Sequence, residues 1–286
     1  MIHDILHVLE HTLLDSLKIL PFLFLTYLVM EYLEHKMNNK TKKIVERAGN
    51  YGPLLGGLLG AVPQCGFSVS ATNLYAGRII TLGTLIAIYL STSDEMLPLL
   101  ISNGMSIGLI IKILSIKVLI GIIAGFAIDF CIRLLKKKKE EAKIESLCEH
   151  EHCHCENGIL KSAIKHTLSV MLYIVIFSLI LNIVIELIGE DNIAGLILNK
   201  SFLGPIIVGL VGLIPNCASS VIITELYISG VINLATMLAG LLVNSGISLV
   251  VLFRVNKNIK ENIKIIGILY AIGVISGIVL DFFLKI

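Results

Sequence analysis

The chain alternates long apolar runs with short polar interruptions, and the run lengths predict its elements. Apolar stretches occupy 14–34, 79–101, 113–134, 164–188, 231–253 and 263–284. Each reaches the roughly 20 residues a helix needs to cross a hydrocarbon core of about 30 Å. Four shorter pieces lie at 51–64, 66–77, 203–214 and 217–229. At 12 to 14 residues and about 1.5 Å per residue, they reach only about 18–21 Å as helices. They read as half-helices of a re-entrant hairpin, or as tilted discontinuous spans, broken at Pro63 and Pro215. The pattern predicts ten helical elements in an all-α polytopic membrane protein, five on each side of a charged stretch.

Shifting the chain by 152 residues lays Gly52-Pro53 on Gly204-Pro205, Pro63 on Pro215, Cys65 on Cys217, Ser68 on Ser220 and Thr72 on Thr224. The same shift pairs Leu74-Tyr75 with Leu226-Tyr227, Gly121 and Gly125 with Gly273 and Gly277, and Asp129-Phe130 with Asp281-Phe282. A shift of 155 brings His11-Thr12-Leu13 onto His166-Thr167-Leu168 and Glu31 onto Glu186. This is a duplication: a first transmembrane repeat at 1–134, a linker at 135–160 and a second repeat at 161–286.

Basic residues orient the repeats. With five elements per half, the loop carrying Lys36, Lys40, Lys42, Lys43 and Arg47 shares one side with Arg78, the Lys136–Lys139 run, and the loop of Arg254, Lys257, Lys260 and Lys264. The positive-inside rule makes that side cytoplasmic. The repeat partner of the first basic loop, "GEDNIAGLILNK" at 189–200, is acidic and belongs outside. An odd number of elements inverts the second half relative to the first, a plan common among secondary transporters. Both termini then face outwards and the linker is cytoplasmic. Taking 51–77 as one proline-broken span would strand the lysine run outside, and is rejected for that reason.

Composition agrees with a multi-pass protein of the cell membrane: 56% of residues are hydrophobic, only 15% are charged, and mean hydropathy is +0.90. A net charge of +2 with no basic face excludes a nucleic-acid partner, leaving the lipid bilayer. The N-terminus, "MIHDILHVLEH", has neither a basic start nor a small-residue cleavage site, so it does not read as a cleaved signal peptide. Six cysteines, with Cys65 and Cys217 inside apolar runs, do not form a secreted disulfide framework.

The chemistry concentrates in the duplicated turns, "VPQCGFSVSATNLY" and "IPNCASSVIITELY". Proline ends the preceding helix at Val62 and at Ile214, and Gly66 or Ser68, and Ser219 or Ser220, can start the next, freeing carbonyls on one side and amides on the other. In hydrocarbon such a break survives only beside a wet cavity or polar partners. Inversion would bring both turns together, giving a candidate transport site of Pro63, Gln64, Cys65, Ser68, Thr72, Asn73, Pro215, Asn216, Cys217, Ser220, Thr224 and Glu225. A thiol at a helix start ionises more easily, and thiolate suits soft or borderline metals. Either cysteine by itself would instead read as a small packing residue.

In these turns and in the five-plus-five layout, the chain resembles the ten-span permeases grouped as heavy-metal exporters, relatives of the arsenical-efflux permeases. The resemblance rests on P-Q-C-G-F-S at 63–68 and its echo P-N-C-A-S-S at 215–220. It implies efflux of a metal or metalloid without choosing the ion.

In the linker, "CEHEHCHCE" gathers Cys148, His150, His152, Cys153, His154 and Cys155. These residues are enough for a four-coordinate site for Zn²⁺, Cd²⁺ or Cu⁺. His3, His7 and His11 recur every four residues, as an outer metal face or as the polar stripe of an interfacial helix. Glu31 and Glu186 occupy matching places and are candidates for proton coupling, although both lie near span ends. Asp94 and Glu95 interrupt the fourth element, and the glycine pairs read as close-packing positions.

These features predict a secondary-type transporter rather than an enzyme, an efflux permease for a heavy-metal ion or metalloid. Its metal would be transported or loop-bound, with no tightly held cofactor and no nucleotide motif. The alternatives are a sulfur-containing anion carrier and a membrane thiol/disulfide oxidoreductase. Ion identity, coupling and assembly as a homo-oligomer are left open at this point.

Overall fold

The computed structural model describes residues 51–62, 65–93, 96–135, 159–188 and 203–284, together with Gly49 and parts of a helix between Leu17 and Leu28. Every regular element among them is an α-helix. The first half holds α1 (Gly52–Gly60), α2 (Cys65–Ala76), α3 (Leu82–Ser91), α4 (Met96–Ser102) and α5 (Ile107–Leu134). The second holds α6 (Ile159–Ile188), α7 (Gly204–Gly212), α8 (Cys217–Ile228), α9 (Leu234–Val243), α10 (Ser248–Val255) and α11 (Ile259–Leu284). Adding 152 to the first residue of each of α1 to α5 gives the first residue of α7 to α11. The shift that aligns the residues therefore also aligns the helices.

Local chemistry explains these boundaries. Pro53 and Pro205 sit in the first turns of α1 and α7, where a missing amide hydrogen costs nothing. Thr81 caps α3 by accepting from the Thr84 amide at 3.1 Å, and Asn233 caps α9 by accepting from the Thr236 amide at 2.8 Å. The duplicated aspartates hold both caps: Thr81 Oγ1 donates to Asp129 at 2.7 Å, and Asn233 Nδ2 donates to Asp281 at 2.7 Å.

The apolar runs 79–101 and 231–253, expected as continuous spans, are each interrupted, so that α3 gives way to α4 and α9 to α10. The cause is a polar run in mid-span. Asn244 Oδ1 accepts from the Gly246 amide at 2.7 Å in a local turn, with Gly246 at φ +56°. In the first half, Ser91 and Thr92 turn their hydroxyls back onto the carbonyls of Ala87 and Ile88, both at 2.8 Å.

Among the described residues, four segments are long and apolar enough to cross a membrane: Leu82–Ser102, Ile107–Leu134, Leu234–Val255 and Ile259–Phe283. The two interrupted segments are interior, 69% and 94% buried, whereas those of α5 and α11 are 22% and 28% buried. Ile111, Leu119, Ile123, Ile263, Ile275 and Phe282 lie exposed on α5 and α11, as suits a surface facing lipid. Their opposite faces carry the glycines. A Cβ on Gly121 would lie 2.8 Å from the Ala87 carbonyl, and one on Gly277 would lie 2.4 Å from the Ala239 Cβ. The outer helices thus press against the interior ones backbone to backbone.

The halves meet reciprocally. α2 packs on α10, α8 packs on α4, and α3 touches α9. Each helix that follows a proline turn therefore docks on the far part of the other half's interrupted span.

Candidate transport site

Helix breaks expose backbone groups, and the fold brings the partners of several such groups to one place. Asn216, beside Pro215, caps α8 by accepting from the Ala218 amide at 3.4 Å. Ser219, one turn in, donates to the Asn216 carbonyl at 2.7 Å and accepts from Asn244 Nδ2 at 2.8 Å. One hydroxyl thus ties the proline turn of the second half to the break between α9 and α10.

A small cavity with both polar and apolar walls opens beside this junction. Thr92 and Ser93 line it from the break after α3, Met96 from α4, Ser220 from α8, and Leu241 and Asn244 from the end of α9. Its volume of about 10 Å³ holds one water molecule. The remaining lining residue is Lys117 of α5, 1% exposed inside a long apolar helix. Its ammonium donates to the Thr92 carbonyl at the C-terminus of α3 and, at 3.0 Å, to the Leu241 carbonyl in the last turn of α9. Both carbonyls belong to helix ends that carry partial negative charge and lack an intrahelical partner. One cation thereby bridges the broken helices of both halves. Just beyond α9, Ser245 and Ser248 are fully buried, and their hydroxyls have no hydrogen-bond partner among the described residues. Hydroxyl, carbonyl and amide oxygens of this kind suit a cation or its water shell.

The residues expected at the transport site divide. Ser220 lines the cavity, while Asn216 shapes the turn beside it. Cys65 and Cys217 are the first residues of α2 and α8, so the helices begin one to three residues ahead of the starts expected at Gly66 or Ser68 and at Ser219 or Ser220. Their side chains lie outside the described residues, as do Pro63 and Gln64. Thr72 and Thr224 are buried, and each hydroxyl bonds the carbonyl one turn earlier at 2.7 Å. Thr72 also lies 2.6 Å from the hydroxyl of the buried Tyr89. Asn73 accepts from Tyr27 at 2.7 Å and donates to the Val69 carbonyl at 2.9 Å, which secures the first helix to α2. Ser68 is buried, Pro215 is half-buried and Glu225 is exposed. None of these six lines the cavity.

His3, His7, His11, Glu31, Asp94, Glu95 and the linker ligands Cys148 to Cys155 lie outside the described residues, as does the side chain of Glu186. Among the described residues no group of three His, Cys, Asp or Glu side chains forms a metal cluster. Lys117 and the break after α9 were missed, although a lysine in mid-span and the run "NSGIS" at 244–248 are visible signals; only in the first half, at Asp94 and Glu95, was an interruption singled out.

A second polar junction joins the halves. Arg78, after α2, donates from both terminal nitrogens to Glu261 of α11 at 2.6 and 2.9 Å, and the Tyr75 hydroxyl donates to the same carboxylate. The guanidinium also lies 5.2 Å from the Tyr75 ring centre.

Compared with known proteins, residues 6–187 match the model of a family described as "Putative, 10TM heavy-metal exporter". No curated protein and no solved structure matches the chain.

Proposed function

The chain belongs to the 10TM heavy-metal exporter family, and from that premise we propose that it is a secondary-type efflux permease for a heavy-metal ion or metalloid. Its transport site is the region where the proline turns and the interrupted spans meet, with Cys65 and Cys217 as thiol ligands at two helix starts and the surrounding oxygens completing the set. The two halves are inverted repeats, the turns are re-entrant or discontinuous, and alternating access comes from one half moving against the other. The linker cysteines and histidines gather the ion on the cytoplasmic side.

The observation that carries this reading is the Ser219–Asn244 bond beside the Lys117 cavity, which couples a proline turn to an interrupted span. A broken helix is tolerated at membrane depth only in protein or against a wet cavity, and such cavities are where transporters bind their cargo. Reciprocal packing of α2 on α10 and α8 on α4 supports the inverted arrangement.

A second reading, a carrier of sulfur-containing anions, draws on the Lys117 ammonium beside the cavity. Growth inhibition and cellular metal content, measured across Mn²⁺, Zn²⁺, Cd²⁺, Cu⁺, arsenite and sulfite with and without the gene, separate the two. Efflux of a metal or arsenite species supports the first. Efflux of sulfite alone supports the second and removes the first.

A further inference from the structure

We propose that Lys117 is a tethered surrogate cation. Its ammonium occupies the oxygen-lined seat of a transported metal cation, leaves when the ion arrives, and returns when the ion departs, so that the empty carrier can change access. This rests on the efflux reading above and names both the charge class of its cargo and the residue that resets the site.

Three observations carry it. First, Lys117 Nζ is bonded to a carbonyl from each half, Thr92 O and Leu241 O, at the C-termini of two interrupted helices. Such ends attract a cation, and helix ends and unwound carbonyls are where transporters of known plan hold coupling ions. Second, the cavity beside the ammonium has a volume of about 10 Å³, so a metal ion with any retained water fits only once the ammonium has moved. Two positive charges side by side in a weakly polar interior also repel strongly. Third, the hydroxyls of Ser245, next to the cavity-lining Asn244, and of Ser248, at the start of α10, lie buried with no hydrogen-bond partner among the described residues. Buried polar groups in a native protein ordinarily have partners, so an unmatched pair points to a missing ligand or its water.

The lysine has no counterpart in the second half, where the 152-residue shift places Leu269. One cation is enough because both carbonyl ends meet at one place. An empty seat would leave these carbonyls unmet in a low-dielectric interior, which opposes closure of the unloaded carrier. The ammonium removes that obstacle, and its long flexible stem lets it withdraw.

The test uses the full chain in proteoliposomes, with a divalent ion that the parent transports. Three quantities are read: equilibrium affinity, tracer exchange with the same ion on both sides, and net flux with the ion on one side only. Lys117→Met removes the competitor while keeping side-chain length. Affinity should tighten by about tenfold or more, as expected when a competing occupant is removed. Exchange should persist while net flux falls by about the same factor, because only net flux requires the empty carrier to return. A purely structural lysine would lower exchange and net flux together with no gain in affinity, which overturns the proposal. Loss of affinity in Lys117→Met also overturns it and marks the lysine as a ligand for an anionic cargo.

Should Lys117→Met not fold, Lys117→Arg keeps the charge and the donors, and its larger planar group stays lodged in the small cavity. Exchange and net flux should then both fall by about tenfold or more in a folded chain. Parental exchange in Lys117→Arg overturns the proposal. A parent that moves no ion removes the efflux reading and this inference with it. A parent that moves ions, while Lys117→Met keeps the parental ratio of net flux to exchange, removes only the inference.

Discussion

Arg78 stands where a glycine would be expected, and this makes a prediction with a change of sign. It occupies a left-handed conformation at φ 56°, in the turn that ends α2, with its amide bonded to the Tyr75 carbonyl and the next amide bonded to the Leu74 carbonyl. The matching turn after α8 has the same bonds from Gly230, at φ 74°, and Val231. A non-glycine residue in this conformation costs about 1–2 kcal/mol, and replacing it by glycine adds about 0.4–1 kcal/mol of unfolded-state freedom. Arg78→Gly should therefore relieve roughly 0.5–1 kcal/mol of strain. It also removes the forked ion pair to Glu261, whose side chains are 19% and 20% exposed. Losing a fully buried pair costs about 3–5 kcal/mol and losing an exposed one about 0–1 kcal/mol, so roughly 2 kcal/mol is assigned here.

On the parental background the loss of the pair wins, and Arg78→Gly should destabilise by about 1–1.5 kcal/mol. On a Glu261→Gln background the pair is already gone, and the same substitution should stabilise by roughly 0.5–1 kcal/mol. At about 2–4 °C per kcal/mol, thermal unfolding in detergent followed by far-UV circular dichroism should show a fall of about 3 °C in the first case and a rise of about 2 °C in the second. Equal destabilisation on both backgrounds would refute the claim that Glu261 is what keeps an arginine in a glycine's place.

The glycines of the outer helices should differ sharply. Gly125→Val should abolish folded expression, because a Cβ there lies 2.6 Å from the Gly83 carbonyl and overpacking costs about 1–3 kcal/mol or more. Gly267→Ala, with nothing within 4 Å, should stabilise the fold by roughly 0.5–1 kcal/mol of helix propensity, read as a small rise in unfolding temperature. Replacing Cys148, Cys153 and Cys155 by serine should weaken Cd²⁺ binding by the isolated linker peptide, yet leave measurable efflux by the intact chain. Loss of efflux in a folded triple variant would place the linker on the transport path. Single cysteines in 36–47 and in 254–264 should label from the cytoplasm and one at Asn192 from outside; labelling of 36–47 and 189–200 from the same side would refute the inverted repeat.

The duplicated turn was legible because its signals are local. A proline, a cap residue and a change from apolar to polar recur at one spacing, and the helix starts repeat at the same 152-residue shift. The interrupted spans were less legible, because "STSDE" and "NSGIS" sit inside runs whose total length suits a continuous span. Length and hydropathy average over a break that one Asx turn creates. Lys117 was missed for a different reason: comparison of the two halves favours paired residues, and its partner position is Leu269. The roles of Thr72 and Asn73 were also hidden, since they depend on Tyr89 and Tyr27, which only the fold brings near. Polar residues on an apolar helix look alike in sequence, whether they face a cavity or bond their own backbone.

The central claim is that the helix breaks themselves form the transport site, and uptake of metal into inside-out vesicles tests it most directly. Pro63→Ala and Pro215→Ala let helix continue through the turn and remove the freed backbone groups. Each should lower the initial rate by about tenfold or more for every ion the parent carries, with protein levels in the membrane unchanged. Cys65→Ser and Cys217→Ser should do so mainly for thiophilic ions such as Cd²⁺, and the double variant should be little worse than either single one, because groups of one site do not act additively. Proline variants that carry every ion at the parental rate would contradict the account.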